Sequence, residues 1–209
     1  NGDGKDDPTG RGAPIKVSKQ EAKEIKDQMK QAVMQAAQST DAGTLPGDIK
    51  RIVNGMTNPK MDWRELLNIS IQEKIDVAIA LDVSGSISSS MISEFLGEVY
   101  GIMQQFQDFK VRIWTFDTEV NAEGYKEFDP YNADELKDYE IVGGGGTDFD
   151  VNYQFMKDSD IEPDKFIMFT DGLPWDSWGD ASYCDSLFII HGSDHIVPPF
   201  GEHAYYSQS

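Results

Sequence analysis

The sequence has few basic side chains. Its 209 residues include 18 Lys and Arg against 37 Asp and Glu, which gives a formal net charge of −19 at pH 7. A phosphate backbone is bound by clustered Lys and Arg, so this balance argues against a nucleic-acid partner. It fits a cation-binding protein, a protein with a basic partner, or simply a highly soluble surface.

Cysteine and long apolar runs are also scarce. Cys184 is the only cysteine, which rules out an intrachain disulfide and is consistent with a reducing compartment. No apolar run approaches the roughly 20 residues of a membrane helix, and no secretory leader pattern is visible. We therefore expect a cytoplasmic protein with no membrane partner. The opening residues 1–14 are rich in Gly, Asp and Pro, as linkers are, so we expect the chain to be part of a longer protein.

Histidine is rare, and no H-E-x-x-H motif is present. No zincin-type peptidase activity can therefore be assigned to this chain, which we expect to be non-enzymatic. His191 and His195 have a spacing that suits zinc when it falls on a helix. Here the pair follows a predicted strand, so we favour surface histidines, or histidines behind a nearby site, over a zinc centre. His203 is interpreted in the same way.

Three regions follow one another along the chain. Residues 1–17 are predicted to be a disordered linker. Residues 18–74 are predicted to form a helical preamble packed on a sheet domain, with helices from Ser18 to near Gln38, from Asp48 to Met56, and after Asp62. Residues 75–209 are predicted to form the sheet domain itself.

The sheet domain alternates apolar strands with helices. Strands are predicted at Ile75–Asp82, Phe109–Asp117, Lys165–Thr170 and Ser186–His191, with an edge strand near the end, and helices at 88–107 and 149–156. Such alternation is typical of an α/β fold with a Rossmann-like open, mainly parallel sheet flanked by helices. The preamble would add an N-terminal helical extension.

Oxygen-bearing side chains follow the ends of these strands. They are Asp82, Ser84 and Ser86 after the first strand, Thr147 after a run of four glycines, and Asp171 after the strand at Lys165–Thr170. Parallel strands bring their carboxyl ends to one edge of the sheet, so these side chains are expected to meet there. Two carboxylates and three hydroxyls suit a hard divalent cation; Mg²⁺ is favoured, with Mn²⁺ and Ca²⁺ as alternatives.

Two other interpretations of these residues are weaker. A phosphate-binding P-loop needs Gly-Lys-Ser/Thr, whereas Gly146 is followed by Thr147 and Asp148 without a lysine. Ser84 as a hydrolytic nucleophile would need the G-x-S-x-G turn, which is absent around it.

The order DVSGS, GGGGT and FTDG, at predicted strand exits or loops on one edge of the sheet, resembles a von Willebrand factor A-like domain with its metal-ion-dependent adhesion site. The resemblance covers about residue 75 to the C-terminus. It implies that Ser84, Ser86 and Thr147 bind the cation through hydroxyls, and that Asp82 and Asp171 bind it directly or through water. One coordination position would stay open for an Asp or Glu of a protein partner.

A narrower resemblance involves the preamble. LPGDIKRIVNGMTNPKMDWRELL, followed by this domain and PPFG, is similar to the C-terminal half of a family of predicted metallopeptidases. That resemblance implies an upstream zincin-like domain and association with MoxR-type AAA+ ATPases. Possible partners are thus such an ATPase or the upstream domain of the same protein. The second functional hypothesis is the regulatory or substrate-docking half of a metal-dependent peptidase.

The loop after Asp171 contains two tryptophans. We predict a partner-binding rim made of Gly146, Asp148, Trp175 and Trp178, because aromatic residues are enriched at interface hot spots. The alternative is that the tryptophans only pack the loop onto the sheet. A third hypothesis, an extracellular adhesion protein, is disfavoured by the unpaired cysteine and the lack of a leader.

Overall fold

An open six-stranded sheet forms the centre of the protein in the computed structural model, which describes residues 50–51, 56–67 and 74–206. The strands within these residues are β1 Lys50–Arg51, β2 Ile75–Asp82, β3 Phe109–Phe116, β4 Lys126–Phe128, β5 Ile141–Val142, β6 Lys165–Thr170, β7 Ser186–His191 and β8 Glu202–Tyr206. β1 and β5 form a separate antiparallel pair, and the other six strands form the main sheet.

The main sheet has the order β4-β3-β2-β6-β7-β8. All of its neighbouring strands run parallel except β4, which pairs antiparallel with β3 at the edge. The chain leaves β2 toward β3 on one side and later returns to β6 on the other. The carboxyl ends of β2 and β6 therefore flank a topological switch point, where open α/β sheets bind their ligands. The predicted fold class is confirmed.

The central strand β2 has different side chains on its two faces. Ile75, Val77, Ile79 and Leu81 belong to one core cluster, whereas Ala78 and Ala80 belong to the other. The small alanines leave room for Trp114 of β3 and Phe166 of β6, whose rings stack 5.9 Å apart with their planes 8° from parallel. Large and small side chains thus interdigitate across the strand, as dense packing requires.

Three α-helices and two 3-10 helices complete the described fold: α1 Trp63–Leu67, α2 Ser89–Gln105, α3 Asp150–Asp158, and the 3-10 helices Ala122–Gly124 and Ala133–Asp138. Ser88 caps α2, and its side-chain oxygen accepts a hydrogen bond from the Met91 amide at 3.3 Å. α2 covers one face of the sheet, while Tyr153 and Met156 of α3 pack on the other. No helix within the described residues is long and apolar enough to cross a membrane.

The segment 56–67 lies against α2. An added Cβ at Gly97 would lie 2.4 Å from the Thr57 carbonyl oxygen, and one at Gly101 would lie 2.5 Å from Pro59 Cβ. These two glycines therefore permit the close approach of the segment. Between them, the buried Glu98 carboxylate accepts hydrogen bonds from the backbone amides of residues 60 and 61 and from Trp63 Nε1. Because a buried carboxylate must be satisfied, these bonds fix the position of the segment on the helix.

The preamble differs from its prediction where it is described. Lys50 and Arg51 pair antiparallel with Val142 and Ile141, so the helix predicted from Asp48 to Met56 is wrong at these positions. Pairing with a distant strand has overridden the local helical spacing. The last helix does begin after Asp62, whose Oδ1 accepts hydrogen bonds from the amides at 64 and 65. The predicted linker 1–17 and the helix from Ser18 to near Gln38 lie outside the described residues.

Candidate metal-binding site

Asp82 is the last residue of β2 and is fully buried at the switch point. Its Oδ1 accepts a hydrogen bond from the Ser84 amide at 2.9 Å, and its Oδ2 accepts one from Thr170 Oγ1 at 2.7 Å. Thr170 ends β6, so this second bond joins the two strands that flank the switch point. The carboxylate is therefore held rigidly at the carboxyl edge of the sheet.

Ser84 and Ser86 lie in the turn between β2 and α2. Ser84 is buried and Ser86 is exposed, and their hydroxyl oxygens lie 3.2 Å apart. Adjacent oxygen ligands of an octahedral Mg²⁺ lie about 3 Å apart, since its bonds are about 2.1 Å long. The spacing of the two hydroxyls therefore suits neighbouring positions on such an ion.

The glycine loop brings Thr147 to the same edge. The Gly85 amide donates to the Gly145 carbonyl at 2.9 Å, so the loop is bonded directly to the serine turn. Thr147 is buried, and its carbonyl accepts a hydrogen bond from the Trp175 amide at 3.0 Å. These two backbone bonds bring together the three segments that the sequence analysis predicted to meet.

Asp171 follows β6 and is half-buried. Its Oδ1 accepts a hydrogen bond from the Leu173 amide at 3.2 Å. The preceding Thr170 hydroxyl also accepts one from the Gly172 amide at 3.0 Å. The carboxylate thus lies at the start of a tight turn beside Asp82, close enough for the two negative charges to interact.

The electrostatics of the site favour a cation. Burial, followed by the negative charge of Asp171, raises the pKa of Asp82 from 3.8 to about 7, although hydrogen bonds from Ser84 and Thr170 oppose the shift. Among the described residues, no Lys, Arg or His forms an ion pair with Asp82. A buried carboxylate without a positive partner is costly, and a divalent ion would supply the missing charge. The residues present therefore fit a hard divalent cation.

Asp117, which the sequence analysis did not select, positions the glycine loop. It follows β3, is buried, and its Oδ2 accepts hydrogen bonds from the amides of Gly144 and Gly145 at 3.3 and 2.9 Å. Its carbonyl oxygen also accepts one from the Asp148 amide at 2.8 Å. The available signal was an acid directly after a buried strand, the same pattern that drew attention to Asp82.

The residues of the predicted rim occupy different environments. Trp175 is 66% exposed, and its ring lies so close to Gly146 that an added Cβ there would be 2.0 Å from the ring. Trp178 instead packs edge-on against Phe149 and Phe188, with centroid distances of 5.4 and 5.2 Å. Asp148 is half-buried and its Oδ1 accepts a hydrogen bond from the amide of residue 150. Trp175 therefore presents an aromatic surface beside the site, whereas Trp178 mainly packs the loop onto the sheet.

The histidines do not form a metal cluster. His191 is buried and its Nε2 lies 2.8 Å from Glu94 Oε2, which excludes a surface position and leaves the alternative of a histidine behind the surface. His195 is exposed beside Asp194, and His203 lies on the exposed edge strand β8. Across 56–67 and 74–206, no group of three or more His, Cys, Asp or Glu side chains has the arrangement of a metal site. A hydroxyl-rich cation site is consistent with that finding.

An open α/β sheet with oxygen-bearing side chains at its switch point defines a von Willebrand factor A-like class of domain. The family described as "VWA-like domain (DUF2201)" matches residues 77–206, more than half of the chain, and the chain belongs to this family. The family described as "Putative metallopeptidase domain" matches residues 1–80. The resemblance inferred from the motifs is thereby confirmed at the level of both families.

One relative is a protein of Thermotoga maritima described as uncharacterized. It is 24% identical over 157 residues, and the alignment covers 62% of this chain and 38% of that protein. The chain therefore spans less than half the length of this relative.

Proposed function

We propose that this chain is a divalent-cation-dependent protein interaction module. The cation would be held by the hydroxyls of Ser84, Ser86 and Thr147, with Asp82 and Asp171 binding directly or through water. Mg²⁺ is the favoured ion, and Mn²⁺ and Ca²⁺ are alternatives. The observation that carries the proposal is the fully buried Asp82 carboxylate, which lies beside Asp171 and forms no ion pair with a basic side chain among the described residues.

The bound ion would supply a positive charge with an open position for a carboxylate of a partner. The protein residues would orient that position: Thr170 and the Ser84 amide hold Asp82, while Asp117 holds the glycine loop that carries Thr147.

The direct test measures ion binding by the chain. Mg²⁺, Mn²⁺ and Ca²⁺ are titrated calorimetrically into the wild-type chain and into Ser84→Ala. Wild type is expected to bind at least one of these ions and to unfold at higher temperature in its presence, because an ion that binds only the folded state stabilises it. No heat and no thermal shift with any of the three ions would remove the proposal.

A second candidate function is the regulatory or substrate-docking half of a metal-dependent peptidase. It is favoured by the match of residues 1–80 to the metallopeptidase family and by the attachment of segment 56–67 to α2. In this case the partner would be an upstream domain of the same protein or a MoxR-type AAA+ ATPase in the cytoplasm.

The two candidates differ in what the site controls. In the full-length protein, Ser84→Ala would change peptide hydrolysis if the domain regulates an upstream catalytic domain. It would change only chelator-sensitive binding of a MoxR-type ATPase if the domain is an interaction module alone. Peptide turnover and pull-down with and without EDTA, measured on the same preparation, separate these outcomes.

A further inference from the structure

Two apolar side chains are exposed directly beside the candidate cation ligands. Trp175 is 66% exposed and Leu173 is 60% exposed. The Leu173 amide donates to Asp171 Oδ1, and the Trp175 amide donates to the Thr147 carbonyl. Backbone hydrogen bonds thus fix both side chains relative to two of the candidate ligands.

A third exposed apolar side chain lies in a neighbouring loop. Val197 is 66% exposed and follows Ile196, whose Cγ2 would lie 3.1 Å from a Cβ built on Gly172. The loop after β7 therefore lies against the loop after β6. Large exposed apolar side chains that gather next to a functional site are typical of an interaction surface.

The charged side chains of the loops around this surface have one sign. The loops at the carboxyl end of the sheet (83–88, 117–125, 143–149, 171–178 and 192–197) contain no Lys or Arg and seven acids: Asp117, Glu119, Glu123, Asp148, Asp171, Asp176 and Asp194. Lys110 and Lys165 lie at the opposite end of the sheet, near the starts of β3 and β6, whereas Lys60 Nζ lies 5.0 Å from the centroid of the Tyr206 ring at the end of β8. One divalent ion would neutralise only part of this negative field.

We propose that this face binds a partner segment in which the metal-binding Asp or Glu is flanked by apolar and basic residues. The inference rests on the proposed function and adds the specificity of the same site. An apolar flank would cover Trp175 and Leu173, while basic flanks would be attracted by the surrounding carboxylates. A segment with several acids would be repelled everywhere except at the ion, so the charge pattern disfavours it.

The test selects peptides from a displayed library that has a fixed central Glu and five randomised residues on each side. The immobilised protein is the whole chain, and selection is performed in Mg²⁺ and in EDTA. The expected result is Mg²⁺-dependent retention of peptides enriched in Lys or Arg and in large apolar residues, with affinities that weaken as salt is raised. Replacement of the central Glu by Gln should abolish their binding.

Matched variants then locate the contact. Trp175→Ala and Leu173→Ser should each weaken the selected peptides roughly tenfold, in line with the loss of one interface anchor. Tyr131→Ala is the control, because Tyr131 is 97% exposed and lies beyond β4, at the end of the sheet remote from the site. It should leave peptide affinity unchanged.

The outcomes separate the two levels of the inference. One result is that the selected peptides need Mg²⁺ and the central Glu yet show no preference for basic or apolar residues; another is that they bind Trp175→Ala and Leu173→Ser as tightly as wild type. Either result would overturn the proposed specificity and leave the proposed function standing. Retention that is equal in Mg²⁺ and EDTA would overturn the proposed function, and the specificity with it.

Discussion

The substitution Asp82→Asn should stabilise the protein without a divalent ion and abolish its stabilisation by Mg²⁺. In wild type, the ionised Asp82 carboxylate is buried beside Asp171, and no described Lys, Arg or His forms an ion pair with it. Asparagine keeps the shape of the side chain and removes its charge. The same substitution also removes a candidate cation ligand, so the two effects have opposite signs in the two conditions.

The size of the first effect follows from the pKa. A shift from 3.8 to about 7 corresponds, at about 1.4 kcal/mol per pH unit, to about 4 kcal/mol of destabilisation when Asp82 is ionised. The Asn side-chain oxygen can still accept the hydrogen bond from the Ser84 amide. The Thr170 hydroxyl then faces an NH₂ group and must reorient, which costs about 1 kcal/mol. At pH 8 in EDTA, the variant should therefore be about 3 kcal/mol more stable than wild type.

The pH dependence has a defined direction. The folded-state pKa of Asp82 is raised, so its proton stabilises the folded state below pH 3.8, and this contribution is lost as the pH rises toward about 7. Wild type in EDTA should thus lose stability over this window relative to Asp82→Asn. Addition of Mg²⁺ at 100 times its dissociation constant should raise the free energy of unfolding of wild type by about 2.7 kcal/mol and leave that of the variant unchanged.

Urea unfolding, followed by tryptophan fluorescence at pH 5 and pH 8 with EDTA or Mg²⁺, measures all of these quantities. Asp108→Asn is the matched control, since Asp108 is an exposed acid just before β3 at the other end of the sheet. The reasoning is refuted if Asp82→Asn is no more stable than wild type in EDTA, or if Mg²⁺ stabilises both proteins equally.

Three further substitutions test the supports of the site. Asp117→Ala removes the carboxylate that holds the glycine loop, so the Mg²⁺ affinity measured by calorimetry should fall roughly tenfold. Gly97→Ala would place a Cβ 2.4 Å from the Thr57 carbonyl oxygen, a backbone atom that cannot rotate away as a side chain can. The free energy of unfolding should therefore fall by about 1–3 kcal/mol, and proteolysis should cut the segment before β2 faster. The three atoms nearest to a Cβ added at Gly146 all belong to the exposed ring of Trp175, so Gly146→Ala should shift tryptophan fluorescence while changing stability by less than about 1 kcal/mol.

Each of these predictions has its own control. Asp117→Asn keeps one acceptor oxygen and should retain part of the affinity; equal affinity in Asp117→Ala and wild type would show that the loop does not need this carboxylate. Gln104→Ala, at an exposed position of α2, should not increase proteolysis, and neither should Gly97→Ala if the segment does not pack there. The fluorescence change of Gly146→Ala should disappear in a Trp175→Ala background, and its persistence would contradict the assigned contact.

Strands with a strong local signal were predicted at their observed positions. β2, β6 and β7 are unbroken apolar runs with polar residues at their ends, so their bounds follow from the sequence. β1 could not be predicted in this way. Two residues, Lys50 and Arg51, are extended only because they pair with β5, which lies about 90 residues further along the chain.

The sequence by itself determined the α/β class, the main strands and five oxygen-bearing candidate ligands, because each depends on residue type and on short-range spacing. Tertiary structure decided which hydrogen bonds hold these ligands in place. Asp117 binds amides in a distant loop, and Thr170 binds Asp82 across two strands. It also distinguished Trp175 from Trp178, two tryptophans of one short loop, because only packing against Phe149 and Phe188 determines which ring stays exposed beside the site.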